Sequence, residues 1–185
     1  MNALKRLWNT FFERAGSSLN HRYRIRINRG RSALNDEIFD FLAPRITGPW
    51  LDIGTNVGVL LKEVPQGTGV DASDELVRHC QNQGLNVLHA SACKLPFESN
   101  RFETVVLSCV LEQVPEWETA LQEAVRVCKS GGKVIGFNPI PHASEWGRPG
   151  RWVKSVITED AMKAHHAKID YPLQGKYFFE ITKAS

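Results

Sequence analysis

The chain predicts an α/β fold: a doubly wound, mostly parallel sheet of seven strands that ends in a C-terminal antiparallel hairpin. Three observations carry this expectation. Short, nearly continuous apolar runs recur along the chain, helical stretches separate several of them, and the last two runs flank a glycine turn instead of a helix. Strands that are apolar throughout are buried on both faces, and strands joined through helices pair in parallel. The alternation therefore implies βαβ units with helices on both sides of one sheet.

Taken in order, the first element is set apart by charge. Residues 1–31 hold Lys5, Arg6, Arg14, Arg22, Arg24, Arg26, Arg29 and Arg31 against the acid Glu13, a net +7, so residues 32–185 sum to −4 in a chain of net charge +3. Leu4, Leu7, Trp8, Phe11, Phe12 and Ala15 recur there at helical spacing, which predicts an amphipathic helix with an aromatic face. A basic arm follows, "NHRYRIRINRGR", in which Tyr23, Ile25 and Ile27 alternate with arginines. This head permits three readings: a lid over the body, a helix lying on an anionic membrane surface, or an arm that tracks nucleic-acid phosphates with Tyr23 able to stack.

From residue 32 the pattern becomes regular. "SALNDEIFDFLA" places Leu34, Ile38, Phe41 and Leu42 on one helical face, and Pro44 stands just beyond its end. The runs "WLDIG", "GTGVDAS", "LNVLHAS", "ETVVLSCV" and "KVIGFNP" read as strands, with helices expected over residues 57–64, 74–83 and 117–128. A last helix is expected over residues 158–166, with Thr158 as its cap and Glu159 and Asp160 in its first turn. "AKIDYPLQG" and "KYFFEITKA" then form the closing hairpin, turning at Gln174 and Gly175.

With 185 residues, 42% hydrophobic and 23% charged, the chain has material for one substantial core. The expected organisation is residues 1–31 as a basic helix and arm, and residues 32–185 as a single domain. Cys80, Cys93, Cys109 and Cys128 are scattered without CxxC pairs, so they read as reduced, mostly buried thiols and not as a disulfide framework or zinc site. No run approaches the roughly 18 to 20 apolar residues that span a bilayer. A cytoplasmic protein is expected, attached to a membrane only if the head binds its surface.

The chemistry concentrates after the first two strands. "WLDIGTNVG" places the loop of residues 54–58 between a strand and a helix, at the carboxyl edge where open α/β sheets bind ligands. Gly54 and Gly58 permit close backbone approach. Asn56 stands where a third glycine is common, and asparagine is among the few residues that tolerate a left-handed backbone. Asp71 closes the second strand, where a carboxylate can accept hydrogen bonds from both hydroxyls of a ribose.

Four motifs in order, "LDIGTNVG", "GVDASDELV", "LPFESNRFETVVLSCVLEQV" and "ALQEAVRVCKSGGKVIGFNP", resemble the class I S-adenosylmethionine-dependent methyltransferases, in particular their small-molecule branch with "LPF…FD…LEH…EVxRVLxPGG". The resemblance spans about residues 33–140 and implies a Rossmann-like methyltransferase fold. It implies S-adenosyl-L-methionine as cofactor, with Asp52, Gly54, Thr55, Asn56 and Gly58 around its methionine part. Asp71 with Ala72 would hold the ribose, Ser91, Ala92 and Cys93 would border the adenine, and Ser108 and Leu111 would line the methyl-transfer edge. Ser91 replaces a frequent aspartate, Asn56 a glycine, and Gln113 the histidine of "LEH", which touches substrate handling. A dinucleotide would instead call for GxGxxG and a pyrophosphate contact at the helix start.

"HASEWGRPGRW" follows the fifth strand, and its Trp146, Arg148, Arg151 and Trp152 form either part of an acceptor pocket or an irregular surface loop. His165 and His166 are adjacent and point about 100° apart on a helix, so no metal site is expected from them. The function expected is methyl transfer to a small-molecule or lipid-like acceptor. Two alternatives stay open: a non-catalytic cofactor-binding or interaction protein of the same fold, and an RNA methyltransferase that uses the basic head.

Overall fold

The computed structural model describes residues 33–140 and 155–184. The expected head helix and arm, and Trp146, Arg148, Arg151 and Trp152, lie outside the described residues. The elements in chain order are α1 (Ala33–Leu42), β1 (Trp50–Ile53), α2 (Val59–Glu63), β2 (Gly67–Asp71), α3 (Asp74–Gln81), β3 (Val87–His89), β4 (Phe102–Ser108), α4 (Trp117–Val127), β5 (Cys128–Pro139), α5 (Glu159–Ala164), β6 (Lys168–Leu173) and β7 (Lys176–Thr182). One seven-stranded sheet runs β3-β2-β1-β4-β5-β7-β6. The first five strands pair in parallel, and β7 enters antiparallel between β5 and β6.

Alternation along the central strands sends successive side chains to opposite faces. Leu51, Ile53, Val105 and Leu107 join a core layer with Leu121, Ala124, Met162 and Phe179. Trp50, Val106, Ile135 and Phe137 join the opposite layer with Leu42 and Phe178. Helix α1 closes that second layer: the Phe41 ring meets Phe137 and Phe178 edge-on, with centroids 5.4 and 4.9 Å apart. Pro44 falls in the short 3-10 turn Ala43–Arg45 that ends the helix.

The helix boundaries follow local chemistry. Helix α2 starts two residues later than expected, because Asn56 and Gly58 both adopt left-handed φ (55° and 71°) and the Gly58 N–H turns back to Thr55 O at 2.9 Å. Thr158 caps α5 as expected, its hydroxyl accepting from Ala161 N at 3.1 Å. Ser73 plays the same part for α3, accepting from Leu76 N at 3.4 Å. Strand β5 begins earlier than "KVIGFNP", since Phe102 already pairs with Cys128 before the register shifts to Thr104 with Lys133. The closing hairpin turns where expected, with Leu173 paired to Lys176 and Gly175 at φ 73°. Among the described residues, no helix is long and apolar enough to cross a membrane.

Candidate cofactor site

The strand order reverses between β1 and β4, since the chain first runs outward through β2 and β3. The carboxyl edge at that reversal is where loops diverge and leave room for a ligand. In register, Ile53 stands beside Val70, so the loop after β1 and the end of β2 leave the sheet side by side. The Gly54 and Thr55 N–H groups both donate to Val70 O, at 2.9 and 3.0 Å. The Asn56 N–H donates to Asp71 Oδ2 at 3.0 Å, and the Ser73 N–H donates to Asp71 Oδ1 at 2.9 Å. The Ala90 N–H donates to the main-chain oxygen of Asp71 at 3.1 Å. The loops that follow β1, β2 and β3 thus meet on one residue.

This arrangement changes the expected role of the glycine loop. The N–H groups of Gly54, Thr55, Asn56 and Gly58 are all committed to the protein. A Cβ on Gly54 would lie 2.6 Å from a methyl of Val110, and one on Gly58 would strike Leu85. With φ of 72° and 71°, the two glycines serve a left-handed path and close packing of the protein on itself. Asn56 keeps the left-handed conformation expected of it, and its buried Oδ1 has no hydrogen-bond partner.

Asp52 is buried (5% exposed), and its Oδ2 accepts from the Thr55 hydroxyl at 2.8 Å. Burial pushes its carboxyl up to about 7, the Thr55 bond opposes this, and the nearby Asp71 charge adds to it. Ser91 directs its hydroxyl at its own turn, accepting from Cys93 N at 3.2 Å, while the Lys94 N–H donates to Ser91 O at 3.0 Å. The turn holds Ala92 and Cys93, and after β2 the Ala72 carbonyl lies 3.0 Å from His89 Nε2.

Across the reversal, Ser108 ends β4 and the Cys109 N–H donates to Phe137 O at 2.8 Å. Gln113 Nε2 donates to Cys109 O at 2.5 Å. Leu111, expected on the transfer edge, is fully buried in the core, and Val110 is the residue that meets Gly54. Burial pushes the Cys109 thiol up to about 12 and that of Cys93 upward, so both stay protonated at neutral pH.

The "LPF" and "EAVRV" motifs meet as a clamp that the sequence spacing does not reveal. Arg126 donates to Glu123 at 2.6 and 2.9 Å, to Phe97 O at 2.8 Å and to Leu95 O at 3.2 Å. Glu123 also accepts from Leu95 N at 2.8 Å, and the Arg126 guanidinium holds its carboxyl below the usual carboxylate range. The clamp fixes the segment that follows Cys93.

Residues 51–136 match the profile of a family described as a methyltransferase domain. Over 88 residues the chain is 34% identical to the uncharacterized protein MJ1123 of Methanocaldococcus jannaschii, covering 48% of this chain and 43% of that protein. Over 97 residues it is 33% identical to the demethylmenaquinone methyltransferase of Oceanobacillus iheyensis, covering 48% of this chain and 39% of the other. The chain therefore spans less than half the length of these curated relatives. Among solved structures, a SAM-dependent methyltransferase from Aquifex aeolicus superposes with TM-score 0.63 at 18% identity, covering 85% of this chain and 96% of that one. The [4+2]-cyclase SpnF superposes with TM-score 0.67 at 17% identity, covering 81% of each chain. At such identities the likeness shows a common fold.

Proposed function

We propose that this chain is a class I S-adenosylmethionine-dependent methyltransferase, a reading supported by the methyltransferase-domain match over residues 51–136, and that it transfers a methyl group from S-adenosyl-L-methionine to a small-molecule or lipid-like acceptor. The observation that carries the reading is the convergence of the Asn56 and Ser73 N–H groups on Asp71. Each carboxylate oxygen accepts one main-chain N–H, which holds the group in a fixed orientation at the end of β2, and a carboxylate is the side chain that can accept from two adjacent ribose hydroxyls. The Asn56 Oδ1, on the residue whose N–H holds Asp71, is buried without a hydrogen-bond partner. Loop N–H groups already bound within the protein leave little for a pyrophosphate, which favours a nucleoside without phosphates over a dinucleotide.

In this reading, Gly54 and Gly58 set the path of the loop, and Thr55 ties Asp52 beneath it. Ala72 lies at the ribose, while Ala92 and Cys93 border the base with Ser91 fixing their turn. The bound cofactor supplies a sulfonium-activated methyl group, so positioning can provide much of the rate without a dedicated base. Ser108, Leu111 and Gln113 stand on the acceptor side, Leu111 as buried support; Trp146, Arg148 and Trp152 are assigned there from the sequence. Likeness to demethylmenaquinone methyltransferases supports a small-molecule acceptor. Residues 32–185 are the catalytic unit, and residues 1–31 cover it, bring it to a membrane surface, or contact RNA.

A second reading is a protein of the same fold that transfers no methyl group, since a protein named a [4+2]-cyclase superposes over 81% of this chain. Titration calorimetry with S-adenosylmethionine and S-adenosylhomocysteine separates the two from any binder of other ligands. Micromolar binding of both, with label transfer from [methyl-3H]S-adenosylmethionine to a small-molecule extract, is expected. No heat and no thermal shift at millimolar cofactor would end the transferase reading.

A further inference from the structure

At the carboxyl edge of β5, Asn138 is fully buried and faces Tyr177 across the antiparallel pair with β7. Its Nδ2 donates to the Tyr177 hydroxyl at 3.0 Å, and that hydroxyl donates to Ile157 O at 3.0 Å. The chain has one direction. A tyrosine has a single proton to give, and Ile157 O can only accept, so the phenolic oxygen must receive its second bond from the amide nitrogen. Reversing the carboxamide would set two acceptors on one proton and leave the NH2 group without an acceptor. The Asn138 Oδ1 is therefore turned away from Tyr177, and it has no hydrogen-bond partner. Burial pushes the Tyr177 phenol well up, so it remains a donor at any physiological pH.

A buried carbonyl-type acceptor left without a donor is unfavourable, and native proteins rarely keep one without a use. This one occupies a telling place. Asn138 directly follows Phe137, whose carbonyl holds Cys109 just beyond the end of β4. On the far side, residues 155–157 are fastened by the Ser155 N–H to Glu112 O at 3.1 Å, by the Ser155 hydroxyl to Val114 O at 3.0 Å, and by Tyr177 to Ile157. Asn138 thus stands near the carboxyl end of β5, the strand next to β4, on the side of the reversal opposite Asp71. An acid there would carry a buried charge, whereas the amide offers a neutral acceptor of fixed direction.

We propose that the Asn138 carboxamide oxygen accepts a hydrogen bond from an N–H or O–H group of the molecule that receives the methyl group, and that Tyr177 is the positioning residue that orients it. This rests on the transferase reading given above and deepens it: the acceptor carries a hydrogen-bond donor close to its reacting atom, which excludes thioethers and other aprotic acceptors. Because Asn138 is covered, the acceptor reaches it when residues 155–157 shift, which requires release of the Ser155 hydrogen bonds to Glu112, Val114 and Pro115 and of the Tyr177 bond to Ile157, while the Asn138 bond to Tyr177 stays in place.

The test uses the full chain, [methyl-3H]S-adenosylmethionine and a small-molecule extract of the organism from which the chain comes, with the labelled product identified by mass. Asn138→Leu is expected to raise the acceptor KM by about tenfold or more while S-adenosylmethionine affinity stays within about twofold. Tyr177→Phe is expected to raise KM by a smaller factor, about threefold, because the amide is present but free to turn. Unchanged KM in Asn138→Leu would overturn the proposal and leave the transferase reading intact. Failure of the wild type to transfer label would overturn both. Should Asn138→Leu not fold, the wild type is challenged with the identified acceptor and an analogue whose donor hydrogen is replaced by methyl. Inhibition weakened by about tenfold supports the proposal, and equal inhibition overturns it.

Discussion

The two sides of the strand-order reversal are built on opposite plans. Around β1, β2 and β3, polar groups hold one another: Asp71 gathers Asn56, Ser73 and Ala90, and Asp52 is tied to Thr55. Around β4, β5 and β7, large apolar groups dominate, with Leu111, Phe137 and Tyr177 fully buried, and one neutral chain runs from Asn138 through Tyr177 to Ile157. The first side is charged and already organised, so a ligand with matching hydroxyls binds with little ordering to do. The second discriminates by shape and by a few polar points. In the proposed reading, the first side frames the cofactor and the second receives the acceptor.

The strongest way to break this contrast is at Asp71. Asp71→Asn retains the shape and one acceptor but loses the charge, and S-adenosylmethionine affinity is expected to fall by about a hundredfold or more in calorimetry, from two charge-assisted bonds of about 1.5–3 kcal/mol each. An unchanged affinity would place the cofactor elsewhere. The corresponding change on the other side, at Asn138, leaves cofactor affinity in place.

Asp52 tests the electrostatics of the organised side. Its carboxyl ionises near 7 in the folded protein against an ordinary 3.8. A folded value raised above the unfolded one contributes stability at low pH, and that contribution is lost as pH rises from about 4 through about 7. Wild-type stability is therefore expected to decline between pH 5 and pH 8. Asp52→Asn removes the decline and is expected to be the more stable form at pH 8, by about 2–4 kcal/mol, read from denaturant melts at the two values. A parallel pH dependence in both proteins would show that Asp52 is not the group responsible.

The meeting of the two sides is smaller in energy. Gly54→Ala must force a left-handed backbone and push against Val110, with an expected loss of about 1–3 kcal/mol. Adding Val110→Ala should recover the steric part of that loss and not the backbone part. Perfect additivity in the double-mutant cycle would mean that the two loops do not touch. Remote from both sides, Thr158→Ala removes the cap of α5 and is expected to lose about 1 kcal/mol in a thermal melt, with cofactor affinity untouched.

Much of this was legible in the chain. The alternation of apolar runs and helices, the left-handed Asn56, the cap at Thr158 and the turn at Gln174 and Gly175 all depend on a few neighbouring residues, so the sequence carries each of them. The position of Asp71 at a strand end was equally local. Other features were hidden. "LPF" and "EAVRV" look like separate motifs until Arg126 is seen to donate to Leu95 and Phe97. Leu111 looked like an edge residue because it follows β4, yet the 3-10 turn Leu111–Gln113 swings it into the core and leaves Val110 against Gly54.

The sequence by itself determined which segments are strands, helices and turns, and which strand ends carry Asp71 and the glycine loop, because propensity, period and capping act within a turn or two of each residue. Tertiary structure alone decided that β7 enters between β5 and β6, that the loop N–H groups are spent on the protein, and that Asn138 leans on Tyr177. Those outcomes join residues far apart in the chain. Their partners are selected by how the sheet packs and by which buried polar groups can satisfy one another, and no local pattern encodes that choice.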